Sequence, residues 1–388
     1  MFTQKPNYTS TTTTLLGLTA CFTKEVIEIA KSQFKTGYDS NIKLIAELKK
    51  SPNEFGEKLR SKDYEAGFLQ YKDPLFPNYD ANKIAGTHFI AAAGPKESQT
   101  VDFFKSILFD SKQEVREIVS IGNKLGHQYS SIIDYDFCGY MVGPTSNFYS
   151  NGTDMMRVEI ESRSEDYPEV GLMEEYKATD ILKSKLTVYL NEMNFESNTE
   201  DNIKQVNVTL LPIVDMEVLN LSEMKMDQRQ EYLSTLWDLY QKYLAGIIAV
   251  HCSAGEGRTG QFILTFELLK RYAEIAALKT PKAKADKIIE ILTELRKSRP
   301  GLVLSVEQFE YAIQNTELLQ QFGLQHPLVK VAESKPEIVV PEPKEIPSPT
   351  LDDEEDFVML PSISSSLSSS LSSADEVARE LNNRLRFR

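Results

Sequence analysis

"GIIAVHCSAGEGRTGQFILTFELL", residues 246–269, sets a short apolar run against a glycine-rich turn and then a long, largely apolar segment. The pattern predicts a buried strand over "GIIAVHC", a tight loop, and a helix that opens near Thr259. A strand running through such a loop directly into a helix makes an anion site. The first N–H groups of a helix have no intrahelical acceptor and lie at the positive end of its dipole. Gly255, Gly257 and Gly260 let the backbone turn those groups inward, so Ser253, Ala254, Gly255, Glu256 and Gly257 are the expected cradle. Arg258 adds a planar fork able to hold two phosphate oxygens at once.

Cys252 changes what the cradle can do. A cysteine at a helix N-terminus beside a cation reacts as the thiolate, so the run reads as a nucleophile aimed at phosphorus. His251 is expected to brace the loop through hydrogen bonds and to favour the thiolate. Thr259 is expected to bond the sulfur or to help it leave as phosphocysteine breaks down. Neither step needs a cofactor or a metal. Other readings of the same letters compete. "GEGRTG", residues 255–260, fits the GxGxxG of a dinucleotide-binding turn, yet His-Cys-Ser-Ala separates the strand from the first glycine, and the next 20 or so residues stay helical. A nucleotide-triphosphate loop would need the lysine of GxxxxGK[ST], which is missing. An inert core cysteine beside a structural Arg258 would need no glycines around it.

Outward from this stretch, "DQRQEYLSTLWDLYQKYL" (227–244) and "KADKIIEILTELRKS" (284–298) read as helices, and "TGQFILTFELLKRYAEIAALK" (259–279) as one continuous helix. Upstream, "THFIAAAG" (87–94), "MMRVEIESRS" (155–164), "KLTVYLNEM" (185–193) and "KQVNVTLLPIV" (204–214) read as strands between polar turns. Strands followed by helices predict an α/β or α+β domain. "TKEVIEIAKSQF" (23–34) and "SNIKLIAELKKS" (40–51) predict two amphipathic helices in an N-terminal extension, residues 1–52. The catalytic domain is expected over residues 53–325. From 326 to 388 the chain turns Pro-rich, acidic and then Ser-rich, a composition that cannot bury enough apolar surface to fold alone. Its last stretch, "ADEVARELNNRLRFR", has helical spacing and could order on a partner.

The formal net charge of the 388 residues is -14, which opposes binding to nucleic acid or to anionic lipid. The three cysteines, Cys21, Cys138 and Cys252, are odd in number and widely spaced, so neither a disulfide framework nor a metal site is expected. A reducing cytosol is the expected home. No apolar run is long enough to span a bilayer, and the N-terminus lacks the pattern of a secretory signal, so no membrane insertion is expected.

"HCSAGEGRTG" (251–260) resembles the HCxxGxxR(S/T) signature of the protein tyrosine phosphatases, in the form used by the phosphotyrosine-specific branch. "FIAAAGPKESQTVDFFKSILF" (89–109), "NYDANKIAG" (78–86) and "RPGLVLSVEQFEYAI" (299–313) are similar to further segments of that branch, so the likeness spans about residues 53–325. It implies a twisted mixed β-sheet flanked by helices, with the cysteine loop at its edge. It also implies hydrolysis of phosphotyrosine in proteins through a phosphocysteine. "YKD" (71–73) resembles the loop in which Tyr71 would line the pocket and Asp73 would hold the substrate backbone.

Two segments depart from the family pattern. The acid loop reads Trp-Pro-Asp in the family, whereas "LLPIVDMEV" (210–218) places Ile213 and Val214 before Asp215. Asp215 remains the expected general acid, because a tyrosyl oxygen leaves far better when protonated as its bond to phosphorus breaks. Asp227 and Asp238 fall within a predicted helix and are poorer candidates. Leu304 stands where the family commonly carries the glutamine that positions the hydrolytic water, and Gln308 matches a second family glutamine that could substitute or simply cap a helix. A chain that captures phosphotyrosine without turning it over is therefore the competing expectation. Inositide phosphatases of the same chemistry usually carry lysines in the loop, where this chain has Glu256. The acidic, Ser-rich tail resembles the translocation signals of effectors that intracellular bacteria inject into host cytosol, where it would meet secretion machinery. A regulatory tail that binds a partner fits the composition equally.

Overall fold

The computed structural model describes residues 20–50, 73–95, 99–122, 146–151, 154–163, 181–190, 202–211 and 219–326. Tyr71, Cys138, Asp215 and the tail expectation fall outside them. Within them the chain runs α1 (Lys24–Lys50), β1 (Ala81–Lys83), β2 (Phe89–Ala93), α2 (Thr100–Phe104), β3 (Val115–Ile121), β4 (Ser146–Ser150), β5 (Met155–Arg163), β6 (Leu182–Leu190) and β7 (Ile203–Leu211). It continues through α3 (Met226–Ala245), β8 (Ile247–Cys252), α4 (Gly257–Lys270), α5 (Tyr272–Ala276), α6 (Pro281–Ser298) and α7 (Val306–Gln325).

The strands form one mixed sheet in the order β1-β2-β8-β3-β7-β6-β5-β4. β2, β8, β3 and β7 are mutually parallel, and the remaining strands pair antiparallel. β8 lies between parallel neighbours and is covered on both faces, which is why "IIAV" is unbroken by any polar residue. Alternation along the strands divides two cores. Phe89, Ala91, Val119, Ile121, Ile248, Val250 and Cys252 face the helices α1, α3, α4, α6 and α7. Ile90, Ala92, Ile118 and Ala249 face the other way, toward Phe103 and Phe104 of α2. His251 and Cys252 therefore project to opposite sides at the carboxyl end of β8.

α4 is enclosed by β8, α6 and α7, with only Arg258 and Lys270 less than fully buried, so apolar residues occur all around it and Thr259, Gln261, Thr265 and Glu267 are buried among them. The predicted helix over 259–279 is broken at Arg271 into α4 and α5. The two helices predicted near the N-terminus are one, because Gly37 lies inside α1 with open space where a side chain would go. A glycine there weakens a helix by only about 1 kcal/mol and need not end it. Cys21, Phe22, Val26, Ala30 and Phe34 enter the same core as α4, α6 and α7. Phe34 stacks on Phe309, with ring centroids 4.6 Å apart.

Candidate active site

The loop between β8 and α4 is shaped by what holds its carbonyls. Ser253 C=O accepts from Gly94 N–H (3.0 Å), and Glu256 C=O from Val303 N–H (3.3 Å) and Gly260 N–H (2.7 Å). Arg299, wholly buried, donates Nη2 to Ala254 C=O and Nε to Gly255 C=O, both at 2.8 Å. Its Nη1 reaches Asp80 Oδ1 (2.8 Å) and Asn82 Oδ1 (2.6 Å) at the start of β1. In a planar trans peptide the N–H points opposite to its own C=O. Fixing the carbonyls of residues 253 to 256 outward therefore turns the N–H groups of residues 254 to 257 inward, as a phosphate requires. Gly255 makes this possible: its φ is +66°, and a Cβ would lie 2.1 Å from Ala92 C=O.

The inner side meets the end of α4. Glu256 occupies the N-cap of α4 without a side-chain capping bond, and the first turn carries no acid. The orphan donors of that turn and the positive end of the dipole are not compensated from within the helix. Arg258 reaches back across the loop, its Nη2 donating to Ser253 Oγ at 3.2 Å. Cys252 is 3% exposed at the end of β8. Thr259 is fully buried, and its hydroxyl has no hydrogen-bond partner among the described residues. Such a group costs stability unless something else engages it.

His251 is fully buried against the edge of Phe103, ring centroids 5.3 Å apart, and bonds the backbone of Cys252. Burial pushes its pKa down to about 3, only partly offset by that backbone bond, so the ring is neutral at physiological pH. It can brace the loop, as expected, but brings no positive charge to the sulfur.

Gly260 presses α4 against the turn before α7, since a Cβ there would fall 2.3 Å from Val303 N. Val303 has φ +63°, an unfavourable conformation for a β-branched residue. Arg296 holds it, donating Nε to Leu302 C=O (2.9 Å) and Nη2 to Val303 C=O (2.7 Å). Leu304 follows, partly exposed, with an apolar side chain that cannot orient a water. Gln308 does two things. With Ser305 it forms a capping box on α7, its Oε1 accepting from the backbone N–H of Leu304 (2.8 Å) and Ser305 (3.3 Å). The same amide lies against Gly257, where an added Cβ would be 2.6 Å from Nε2.

Asp73 accepts from its own segment, Oδ1 from Leu75 N–H and Oδ2 from Lys83 N–H, both at 2.9 Å. It orders the approach to β1, and acceptor capacity remains on both oxygens. The structure thus brings His251, Cys252, Ser253, Ala254, Gly255, Glu256, Gly257, Arg258, Thr259 and Gln308 together. Sequence reading missed Arg299, Asp80 and Asn82. The available signal was an arginine directly before Pro-Gly at the end of an amphipathic helix, with nothing local to pair it.

Cys252 thus stands at the start of a loop whose four consecutive carbonyls are each held by a donor. Residues 153–316 match the family described as Protein-tyrosine phosphatase. Among curated proteins it is similar to the human Receptor-type tyrosine-protein phosphatase-like N, 44% identical over 66 residues, which is 17% of this chain and 6% of that protein. It is also similar to the mouse Receptor-type tyrosine-protein phosphatase N2, 41% identical over 66 residues, with the same shares. Tyrosine-protein phosphatase 2 of Dictyostelium discoideum is 33% identical over 67 residues, 17% of this chain and 18% of that protein. These matches span a small part of each relative. Among solved structures, the Trypanosoma brucei Protein Tyrosine Phosphatase TbPTP1 superimposes with a TM-score of 0.48 at 17% identity, over 76% of this chain and 96% of that one. No helix among the described residues is long and apolar enough to cross a membrane.

Proposed function

We propose that the protein hydrolyses phosphotyrosine in proteins through a phosphocysteine intermediate. The observation that carries this reading is the outward fixing of four consecutive loop carbonyls around Cys252 and Arg258. In the first step the Cys252 thiolate attacks phosphorus, the S–P bond forms, and the bond from phosphorus to the tyrosyl oxygen breaks. Asp215 supplies the proton that the departing oxygen takes up. In the second step water attacks phosphorus and gives one proton to the Asp215 carboxylate, the S–P bond breaks, phosphate leaves, and the thiolate is restored with Thr259 as its hydrogen-bond donor. Arg258 and the inward N–H groups bind the phosphoryl oxygens throughout. Tyr71 and Asp73 belong to this reading as pocket wall and backbone holder. Glu256 in the loop and the acidic chain oppose a multiply phosphorylated lipid as substrate.

The second reading is a phosphotyrosine-binding module. It is favoured by Leu304, by Ile213 and Val214 before the candidate acid, and by the "phosphatase-like" name of the human relative. Intact Cys252, Arg258 and Thr259 weigh against it, since a module that only binds has no use for a thiolate. Steady-state release of phosphate from p-nitrophenyl phosphate and a phosphotyrosine peptide decides between them. The hydrolase reading expects turnover that persists in excess chelator, whereas saturable binding of the peptide without turnover would establish the module. We also assign residues 53–325 as the catalytic unit, with the N-terminal extension packed onto it through α1, and residues 326–388 as an acidic, Ser-rich tail whose composition suits a partner or secretion machinery.

A further inference from the structure

The chain beyond the candidate acid is bolted to the catalytic helix by two buried amide side chains. Leu219 N–H donates to Gln261 Oε1 (3.1 Å), and Gln261 Nε2 donates back to Leu219 C=O (2.8 Å). The same carbonyl accepts from Asn315 Nδ2 (2.7 Å), and Leu221 N–H donates to Asn315 Oδ1 (3.4 Å). Gln261 is 2% exposed and Asn315 1%. Primary amides are costly to bury, and an apolar residue would fill either site if packing were all that was required. Both polar groups of Leu219 are instead satisfied by side chains, from α4 on one side and α7 on the other.

The address of this clamp gives it a role in the chemistry. Gln261 lies one turn beyond Arg258 on α4, and Leu219 is four positions after Asp215. Four residues of fully extended chain reach about 14 Å at most. On the entry side, Leu211, also four positions from Asp215, is fixed at the end of β7 and accepts from Gly122 N–H at 3.2 Å. We propose that Gln261 and Asn315 are positioning residues for proton donation: they hold the exit from the Asp215 segment in register with the helix that carries Arg258. This rests on the assignment of Asp215 as the acid.

The test compares Gln261→Met, which keeps volume and removes both bonds to Leu219, with Asn315→Ala and Asp215→Ala. Each is assayed on a phosphotyrosine peptide and on an aryl phosphate with a strongly acidic phenol, which needs little protonation to leave. Misplacing the acid should lower kcat on the peptide by about tenfold or more, and on the activated ester by much less. The alkaline limb of the peptide pH profile should weaken, and adding Gln261→Met to Asp215→Ala should cause little further loss on the peptide. Equal losses on both substrates, or a full loss persisting in the Asp215→Ala background, would reduce the clamp to a stability element and overturn the proposal. If Asp215→Ala is itself insensitive to the leaving group, or the unaltered chain has no turnover, the acid assignment fails and takes the clamp with it. Should Gln261→Met not fold, Asn315→Ala reads the same ratio.

Discussion

The loop between β8 and α4 has an outer side and an inner side, and they are built on opposite rules. Outside, Arg299 is fully buried and divided among four acceptors, and the carbonyls of Ser253 and Glu256 are held by Gly94 and Val303. Inside, the helix end is uncapped, the Thr259 hydroxyl has no partner among the described residues, and Arg258 touches Ser253 from a partly exposed position. The outer side shows what folding satisfies, and the inner side carries the groups that the proposed phosphate would meet. Two arginines of identical chemistry therefore stand in different settings, Arg299 wholly buried and Arg258 partly exposed.

The largest effects should come from the inner side. Cys252→Ser should reduce turnover to background while a phosphotyrosine peptide still binds, because the N–H groups and Arg258 remain. Retained activity would remove Cys252 from the nucleophile role. Next, Asp215→Ala should lower kcat on the peptide by roughly 10²–10⁴-fold and remove the alkaline limb, with a smaller loss on an activated aryl phosphate. Uniform small losses would make Asp215 a turn residue.

The outer side should answer in stability. Arg299→Met leaves Asp80 and two loop carbonyls without their donor, and breaking such a buried pair costs about 3–5 kcal/mol, readable in urea unfolding. A variant as stable as the parent would mean the loop holds its shape without that brace. His251 sits between the two sides, and its effect is a pH dependence. Its folded pKa of about 3 is below the unfolded value of 6.5, so the unfolded chain takes up a proton first as pH falls. Stability from this group is complete above the unfolded value and is lost downward through that window, by up to about 1.4 kcal/mol per pH unit. His251→Asn should flatten that part of the stability profile, and an unchanged slope would place the acid sensitivity elsewhere. The smallest expected change is at Leu304. If water is poorly held, phenol release should show a burst equal to the enzyme present, and Leu304→Gln should diminish the burst and raise kcat a few-fold. An identical trace would show that another group, with Gln308 the nearest choice, already serves the water.

What was legible in the sequence was local. β8, its loop and the opening of α4 are contiguous, and each carries its own signal: an apolar run, glycines, and a second apolar run. β3 was missed, because Arg116 and Glu117 interrupt "VREIVSI". Glu117 is nevertheless fully buried, satisfied by Thr209 Oγ1 (2.6 Å) and Lys242 Nζ (2.5 Å) from distant parts of the chain. The brace on the loop was hidden for the same reason: Arg299 meets Asp80 and Asn82 across 219 and 217 residues. Periodicity reports which face of an element is covered, and it carries no record of which remote side chain will neutralise a buried charge.

Those long separations also set the order in which the protein comes into being. During synthesis Cys252 emerges well before Arg299, so the Ala254 and Gly255 carbonyls have nothing to hold them when they first meet water. Cys21 N–H bonds the Tyr272 hydroxyl and Phe22 N–H the Glu317 carboxylate, at separations of 251 and 295 residues, so α1 also waits for the final helices. Contacts of such span make folding slow, because the loops must close before any of these bonds can reward them. The thiol therefore passes through a nascent stage beside an unbraced loop, and the loop takes its final shape around it only when the C-terminal helices dock.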